Sequence, residues 1–327
     1  MEVSDILPIY AGEIKEQPNV KVLSQSAERM TYQIDCSDGS GTVEVLTLFP
    51  GIVMQFHSFH CKSFYLSESK DIGNGLKINF CSQGRMEVRM SDNLFLFLEP
   101  GNMSIDERKA QDSFNFPCGH YHGVEILFHY STMNQDAPAL FQALDLSPEL
   151  IQERFCSENH NYIIRTDDRI KTLFQSMIEA PAECRLQYLR IKTAELLCLL
   201  SASQMPLTSD DSSFMTMGQV EIAKQVMEIL TTDLSRHYSV ENLARPFGIS
   251  PSSLKNYFQG VYGKNISTFM RETRMSAAAL ALQGSNQPVS EIAFSIGYEN
   301  ASKFSSAFKK FIGESPLEYR RQSRCGI

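Results

Sequence analysis

Two short stretches carry the side chains best placed to do chemistry. In the first, Ser252, Lys255, Asn256 and Gln259 recur at three- and four-residue spacing. In the second, Ser302, Lys303, Ser306, Lys309 and Lys310 do the same, with Asn300 just ahead of them. That spacing gathers polar groups on one side of a helix. The other side of each is apolar: Leu254, Phe258 and Val261 in one, Phe304, Phe308 and Phe311 or Ile312 in the other. A second group of candidates lies earlier. His57, His60 and Cys61, and Cys118, His120 and His122, offer imidazole and thiolate ligands that suit zinc or iron. The same residues serve equally as hydrogen-bonded wall residues, and the reading adopted here assigns no metal and no cofactor.

The first two stretches belong to a repeat. Ser239 to Gly263 and Val289 to Gly313 lay over each other. Leu243, Ala244 and Gly248 meet Ile292, Ala293 and Gly297 at an offset of 49; Leu254, Phe258 and Gly263 meet Phe304, Phe308 and Gly313 at an offset of 50. One extra residue therefore sits in the second turn. A short helix, a glycine turn and a second apolar-periodic helix form a helix-turn-helix signature, and two in tandem point to duplex DNA. Ser239, Ser250-Pro251 and Asn300 read as helix starts, and Ser315 to Glu318 as a capping box. Between the repeats, Asn265 to Gln283 is rich in alanine and leucine, with one packing stripe expected at Ile266, Phe269, Thr273, Ala277 and Leu280. Its 19 residues span about 28 Å as a helix, near the ~34 Å between successive major-groove segments on one face of a duplex.

Charge supports that placement. The chain of 327 residues has a net charge of −8, but from residue 217 onward 13 Lys and Arg stand against 9 Asp and Glu, a net of +4. The preceding residues carry 17 against 29, a net of −12. The basic end is the repeat-bearing end. No run of 18 apolar residues and no signal peptide is found, and none of the eight cysteines forms a C-x-x-C pair, so a reduced protein in the cytoplasm, with no membrane partner, is expected.

The amino-terminal part reads as β. Val43–Phe49, Ile78–Cys81, Met86–Met90, Leu94–Leu98 and Val124–Phe128 are strand-like, with Gly84 and Pro100-Gly101 as turns. A small sandwich or barrel is expected over 1–130, its interior lined from Phe56, His57, Phe80, Met86, Phe95, Phe97, Phe116, His120 and His122 and open to a small-molecule effector. Residues 131–203 turn helical. Leu186, Leu189, Thr193, Leu196 and Leu200 form a coiled-coil-like seam that either packs on the β domain or pairs with its copy in a dimer. Residues 204–217 read as a linker, and 218–327 as the helical domain with both repeats.

Residues 219–322 resemble the DNA-binding domain of AraC-family transcription regulators. The matching residues are Arg274-Met-Ser-Ala-Ala278, Glu291-Ile-Ala with Gly297-Tyr298, Phe304 with Phe308-Lys309-Lys310, and Gly313 with Ser315-Pro316 and Tyr319-Arg320. The resemblance implies that Ser252, Lys255 and Asn256, and Ser302, Lys303 and Ser306, face bases. It implies that Gln259, Lys309 and Lys310 contact the backbone and that Arg274 is structural. Gly51 to His57 and Pro117 to His122 are similar to the two cupin motifs, although Phe59 stands where a second histidine belongs and no glutamate follows.

The expected whole is an α+β multidomain chain. A cupin-like β-barrel or sandwich with a helical dimerisation segment is joined to an all-α tandem helix-turn-helix domain. The function implied is a homodimeric regulator of transcription, not an enzyme, with double-stranded promoter DNA, RNA polymerase and a small effector as partners. A metal- or redox-sensing regulator and a cupin enzyme fused to a DNA-binding tail are the alternatives.

Overall fold

The computed structural model describes residues 17–66, 75–91, 93–107, 113–133, 138–156, 162–202 and 214–325. The chain divides into two compact units, with the boundary between Phe214 and Met215.

The first unit is built on an antiparallel sheet. Its strands are β1 (Val20–Gln25), β2 (Arg29–Cys36), β3 (Gly39–Phe49), β4 (Ile52–His60), β5 (Ser63–Tyr65), β6 (Gly75–Gly84), β7 (Met86–Ser91), β8 (Leu94–Leu98), β9 (Asn102–Glu107), β10 (Ser113–Asn115), β11 (Tyr121–His129) and β12 (Tyr162–Arg165). Eight of them form one sheet in the order β1-β2-β3-β4-β11-β6-β9-β12. β7 and β8 form a hairpin, and β5 pairs with β10. The sheet is open, with β1 and β12 at its edges, so the closed barrel allowed by the sequence reading is not formed. Two single-turn helices (Tyr130–Met133 and Ala139–Ala143) lead to α1 (Pro148–Phe155), α2 (Asp168–Ile178) and α3 (Arg185–Ala202).

Strand alternation divides the buried residues between two faces. Met54, Ile78, Ile105 and Ile126 lie on one face, where Phe155, Phe174, Leu189, Leu196 and Leu200 cover them. Val45, Val53, Cys81, Tyr121 and Leu127 lie on the other, packed with Met30, Phe64, Met86, Leu98 and Phe116. The seam of α3 is therefore spent inside the unit: Leu189, Thr193, Leu196 and Leu200 are all buried, Thr193 donating to the Leu189 carbonyl.

The second unit is all helical. It comprises α4 (Met217–Thr232), α5 (Val240–Ala244), a 3-10 turn (Arg245–Phe247), α6 (Pro251–Tyr262), α7 (Ile266–Gly284), α8 (Val289–Ser295), α9 (Ala301–Ile312) and α10 (Pro316–Cys325). Of the expected linker, residues 204–213 lie outside the described residues, and Thr216 already caps α4 in a reciprocal box with Gln219. The caps fall where short-range chemistry puts them. Ser239, Ser250, Asn265 and Asn300 each accept a backbone N–H of the first turn of α5, α6, α7 and α9.

The connector α7 differs from its expected single stripe. In its first half Ile266 and Met270 are buried and Phe269 meets the Phe258 and Tyr262 rings, each at 5.3 Å between centroids. In its second half Met275, Ala278, Ala279 and Leu282 pack with Ile292, Ala293, Phe304 and Phe308. At 3.6 residues per turn, Ile266 and Met275 point about 180° apart. The helix thus buries opposite faces toward the two repeats, and Leu280, placed in the stripe by periodicity, is 70% exposed. Leu282→Ala should cost about 2–5 kcal/mol, whereas Leu280→Ala should stay within about 0.5 kcal/mol. Chemical denaturation of the two variants checks the assignment.

Candidate nucleic-acid interface

Each repeat sets a helix on a base of buried aromatic and aliphatic side chains. In α6, Leu254, Phe258, Val261 and Tyr262 are buried; in α9, Phe304 and Phe308. Ile312 packs with the second core, while Phe311 is 42% exposed, which resolves the choice between them. With the inner faces fixed, the outer ones follow. Ser252, Lys255, Asn256 and Gln259 are all exposed along α6, and Ser302, Lys303, Ser306, Lys309 and Lys310 along α9. The structure brings each set together as one continuous polar stripe.

Some of these groups also have local work. Asn300 Oδ1 accepts the backbone N–H groups of Ser302 and Lys303 at 2.8 and 3.2 Å, so its first role is to start α9. The Ser306 hydroxyl donates to the Ser302 carbonyl at 3.1 Å, leaving its oxygen available to accept. Lys309 and Lys310 stand in the last turn of α9, where cations are favoured by the helix dipole as well as by any phosphate beyond.

The two halves are held by contacts that sequence reading does not supply. Arg274, on α7, donates from Nε to the Leu234 carbonyl at 2.8 Å and from Nη2 to the Arg236 carbonyl at 2.9 Å. Burial lowers its pKa from the ordinary value, against the pull of Tyr298 and Asp233. His237, in the same loop, places Nε2 3.0 Å from the Gly297 carbonyl. Gly297 itself has φ +86°, and a Cβ there would lie 2.7 Å from the Ser235 carbonyl oxygen. The loop from Asp233 to His237 is thus gripped by the connector on one side and by the turn of the second repeat on the other. The sequence signal was Arg274 alone; its carbonyl partners lie 40 and 38 residues away.

The residues expected to converge on an effector do not. Phe56 and Phe80 lie on the helix-covered face: the Arg185 guanidinium sits 4.8 Å over the Phe56 ring, and Phe80 stacks on Phe174 at 4.3 Å. His57 and Met86 belong to the opposite face, and so does Phe116. Phe95 and Phe97 are buried on β8, with Arg85 over the Phe97 ring at 5.6 Å. His120 precedes β11 with Nδ1 3.1 Å from the Cys118 carbonyl oxygen, while the His122 ring lies 5.0 Å from that of His60 at the strand ends. Burial and the neighbouring His60 and His120 lower the His122 pKa. Among the described residues no group of three or more His, Cys, Asp or Glu is arranged to hold a metal ion. None of the described helices is long and apolar enough to cross a membrane.

Comparison with known proteins agrees with the geometry of the second unit. Residues 243–322 match the family model described as a helix-turn-helix domain. The carboxy-terminal unit is a helix-turn-helix domain, the class its helices and turns define. It belongs to the AraC type. The chain is 32% identical over 107 residues to the transcriptional regulator Rob of Salmonella typhimurium, covering 33% of this chain and 37% of that protein. It is 30% identical over 97 residues to the transcriptional activator RhaR of Yersinia pseudotuberculosis, covering 30% and 33%. Among solved structures, the C-terminal domain of the response regulator AraT from Geobacillus stearothermophilus is 30% identical, with a TM-score of 0.30, over 31% of this chain and 84% of that one. The chain spans little more than a third of the length of the curated relatives it matches.

Two glycines test how the turns are built. Gly248 has φ +64° with open space around its Cβ position, so Gly248→Ala should cost only the left-handed penalty of about 1–2 kcal/mol. Gly297→Ala adds a collision with the Ser235 and Leu234 carbonyls. It should lower the melting temperature clearly more than Gly248→Ala does when both are measured by calorimetry.

Proposed function

We propose that the chain is a DNA-binding regulator of transcription that reads double-stranded promoter DNA with two helix-turn-helix units. The observation that carries this reading is the pair of exposed polar stripes on α6 and α9, each backed by a buried aromatic face and joined by one continuous helix. Asn256 is suited to a bidentate bond with adenine and Lys255 to guanine; Ser302, Lys303 and Ser306 take the corresponding positions in the second unit. Gln259, Lys309 and Lys310 bind phosphates. Neither base-facing set contains an arginine, so phosphate contacts and DNA shape carry much of the recognition.

We assign effector sensing to the first unit. It is a cupin-like β domain that senses a small-molecule effector, and effector binding alters promoter occupancy. The protein acts in the cytoplasm as a homodimer with RNA polymerase as a partner, and it is not an enzyme. Because the leucine seam of α3 is consumed internally, dimer contact through that helix falls to its exposed face, which carries Gln187, Ile191, Glu195 and Cys198.

Asn256→Ala should cost about 1–3 kcal/mol at one base position and relax preference there. Lys309→Ala should weaken all duplexes alike and reduce the salt slope by about 1. Selection of bound sites from a random duplex pool, followed by titrations at several salt concentrations, checks both. Identical behaviour of the two variants on every sequence would overturn the division into base and phosphate contacts.

A further inference from the structure

The sheet face away from the helices carries a polar row in the middle of an apolar core. Register sets Gln55 of β4 beside Glu125 of β11, Glu125 beside Asn79 of β6, and Asn79 beside Ser104 of β9. These are central strands of the sheet. Alternation puts all four on the side of Val53, Cys81, Tyr121 and Leu127. Gln55, Asn79 and Ser104 are 2%, 1% and 1% exposed, while Glu125, His57 and Lys77 on the same face stay partly accessible.

Most of this row is satisfied from within. His57 Nε2 lies 3.2 Å from Gln55 Oε1. The Tyr121 hydroxyl donates to Asn79 Oδ1 at 2.8 Å, and the Ser104 hydroxyl to Asp106 Oδ2 at 2.8 Å. Lys77 Nζ is 3.9 Å from that same Asp106 oxygen. Glu125 is different: among the described residues it has no hydrogen-bond or ion-pair partner. Burial lowers the His57 pKa, with Glu125 acting against that shift and Lys77 with it. On the central strands this face carries Lys77, Asp106 and Glu125, and Arg165 of the edge strand β12 lies on the same side.

An ionised carboxylate accepts and never donates. Held in the interior without a counter-ion it is costly, and a cation delivered to it recovers that cost. Its partial accessibility lets a small molecule reach it. We propose that this inner face binds a small organic amine, its primary ammonium group seated on the Glu125 carboxylate. This rests on the reading of the β domain as effector-sensing and names the chemical class of the effector.

The test is isothermal titration of the full chain with n-butylamine and putrescine, and with n-butanol and butyrate as size-matched neutral and anionic probes. Both amines should bind saturably, at least tenfold more tightly than either control. Glu125→Gln should lose at least tenfold in amine affinity while keeping its affinity for DNA. Should that variant fold poorly, Glu125→Asp keeps the charge, and should bind the amines more weakly while still preferring them to butanol. Absence of amine binding, equal binding of all four probes, or full amine affinity in Glu125→Gln overturns the proposal. Promoter-DNA affinity measured with each probe bound separates this from the wider reading. Amine binding at Glu125 that leaves DNA affinity unchanged removes the effector role and keeps the site. Butyrate binding that alters DNA affinity removes the amine class and keeps effector sensing.

Discussion

The carboxy-terminal unit depends on one guanidinium. Arg274 spends two donors on the carbonyls of Leu234 and Arg236, in the loop that follows α4. Charge-assisted bonds of this kind are stronger than neutral ones, and the planar fork of arginine fixes direction as well as distance. The consequence is geometric. The loop that leads into α5 is tied to α7, and α7 carries both repeats. Since α7 buries opposite faces in its two halves, any rotation of the helix about its axis would pull one repeat out of place as it moved the other. The His237 contact to the Gly297 carbonyl closes the circuit from the same loop to the second turn.

A comparable rule governs the first unit, though it acts through alternation and not through a single bond. Once β4, β11 and β6 are paired in register, every second residue is committed to one side. The side that receives α1, α2 and α3 is apolar at its centre, with Glu44 and Glu107 toward its margins bonded to Arg185 of α3 and Gln152 of α1. The other side tolerates Gln55, Asn79 and Ser104 only because neighbouring side chains satisfy them. Polar residues at three central positions weaken a core unless they serve something. At the centre of the sheet they are confined to that side.

What was legible in the sequence was local. The repeat, the caps at Ser239, Ser250 and Asn300 and the inward aromatics of α6 and α9 all follow from residues within one or two turns of each other. Those parts of the reading agree with the helices and turns found. What was not legible was long-range. Phe56 and His57 are adjacent in sequence and face opposite ways, and only the strand register decides which side the helices cover. Leu280 fits a helical stripe as well as Leu282 does, because a helix buried on two opposite faces offers two stripes and periodicity alone does not choose between them. The α3 seam has the spacing of a dimer contact, yet the same spacing serves a helix lying on a sheet.

The extra residue in the second turn has a structural reason. In the first unit a 3-10 turn ends at Gly248, whose N–H bonds the Arg245 carbonyl, and Ser250 caps α6 two residues later. In the second, Gly297 bonds the Phe294 carbonyl and Tyr298 reaches back to that of Ala293, the paired closure of a Schellman motif. That closure uses one more residue before Asn300 caps α9. Tyr298 is not idle: its ring meets Phe304 at 5.7 Å and pins the start of the helix. The longer amide side chain of Asn300 then bonds two first-turn N–H groups where Ser250 bonds one. α6 and α9 therefore leave their turns by different routes, and the second is anchored by an aromatic contact from Tyr298, where the first turn has Ile249. The polar stripes of α6 and α9 are thus presented from differently built turns.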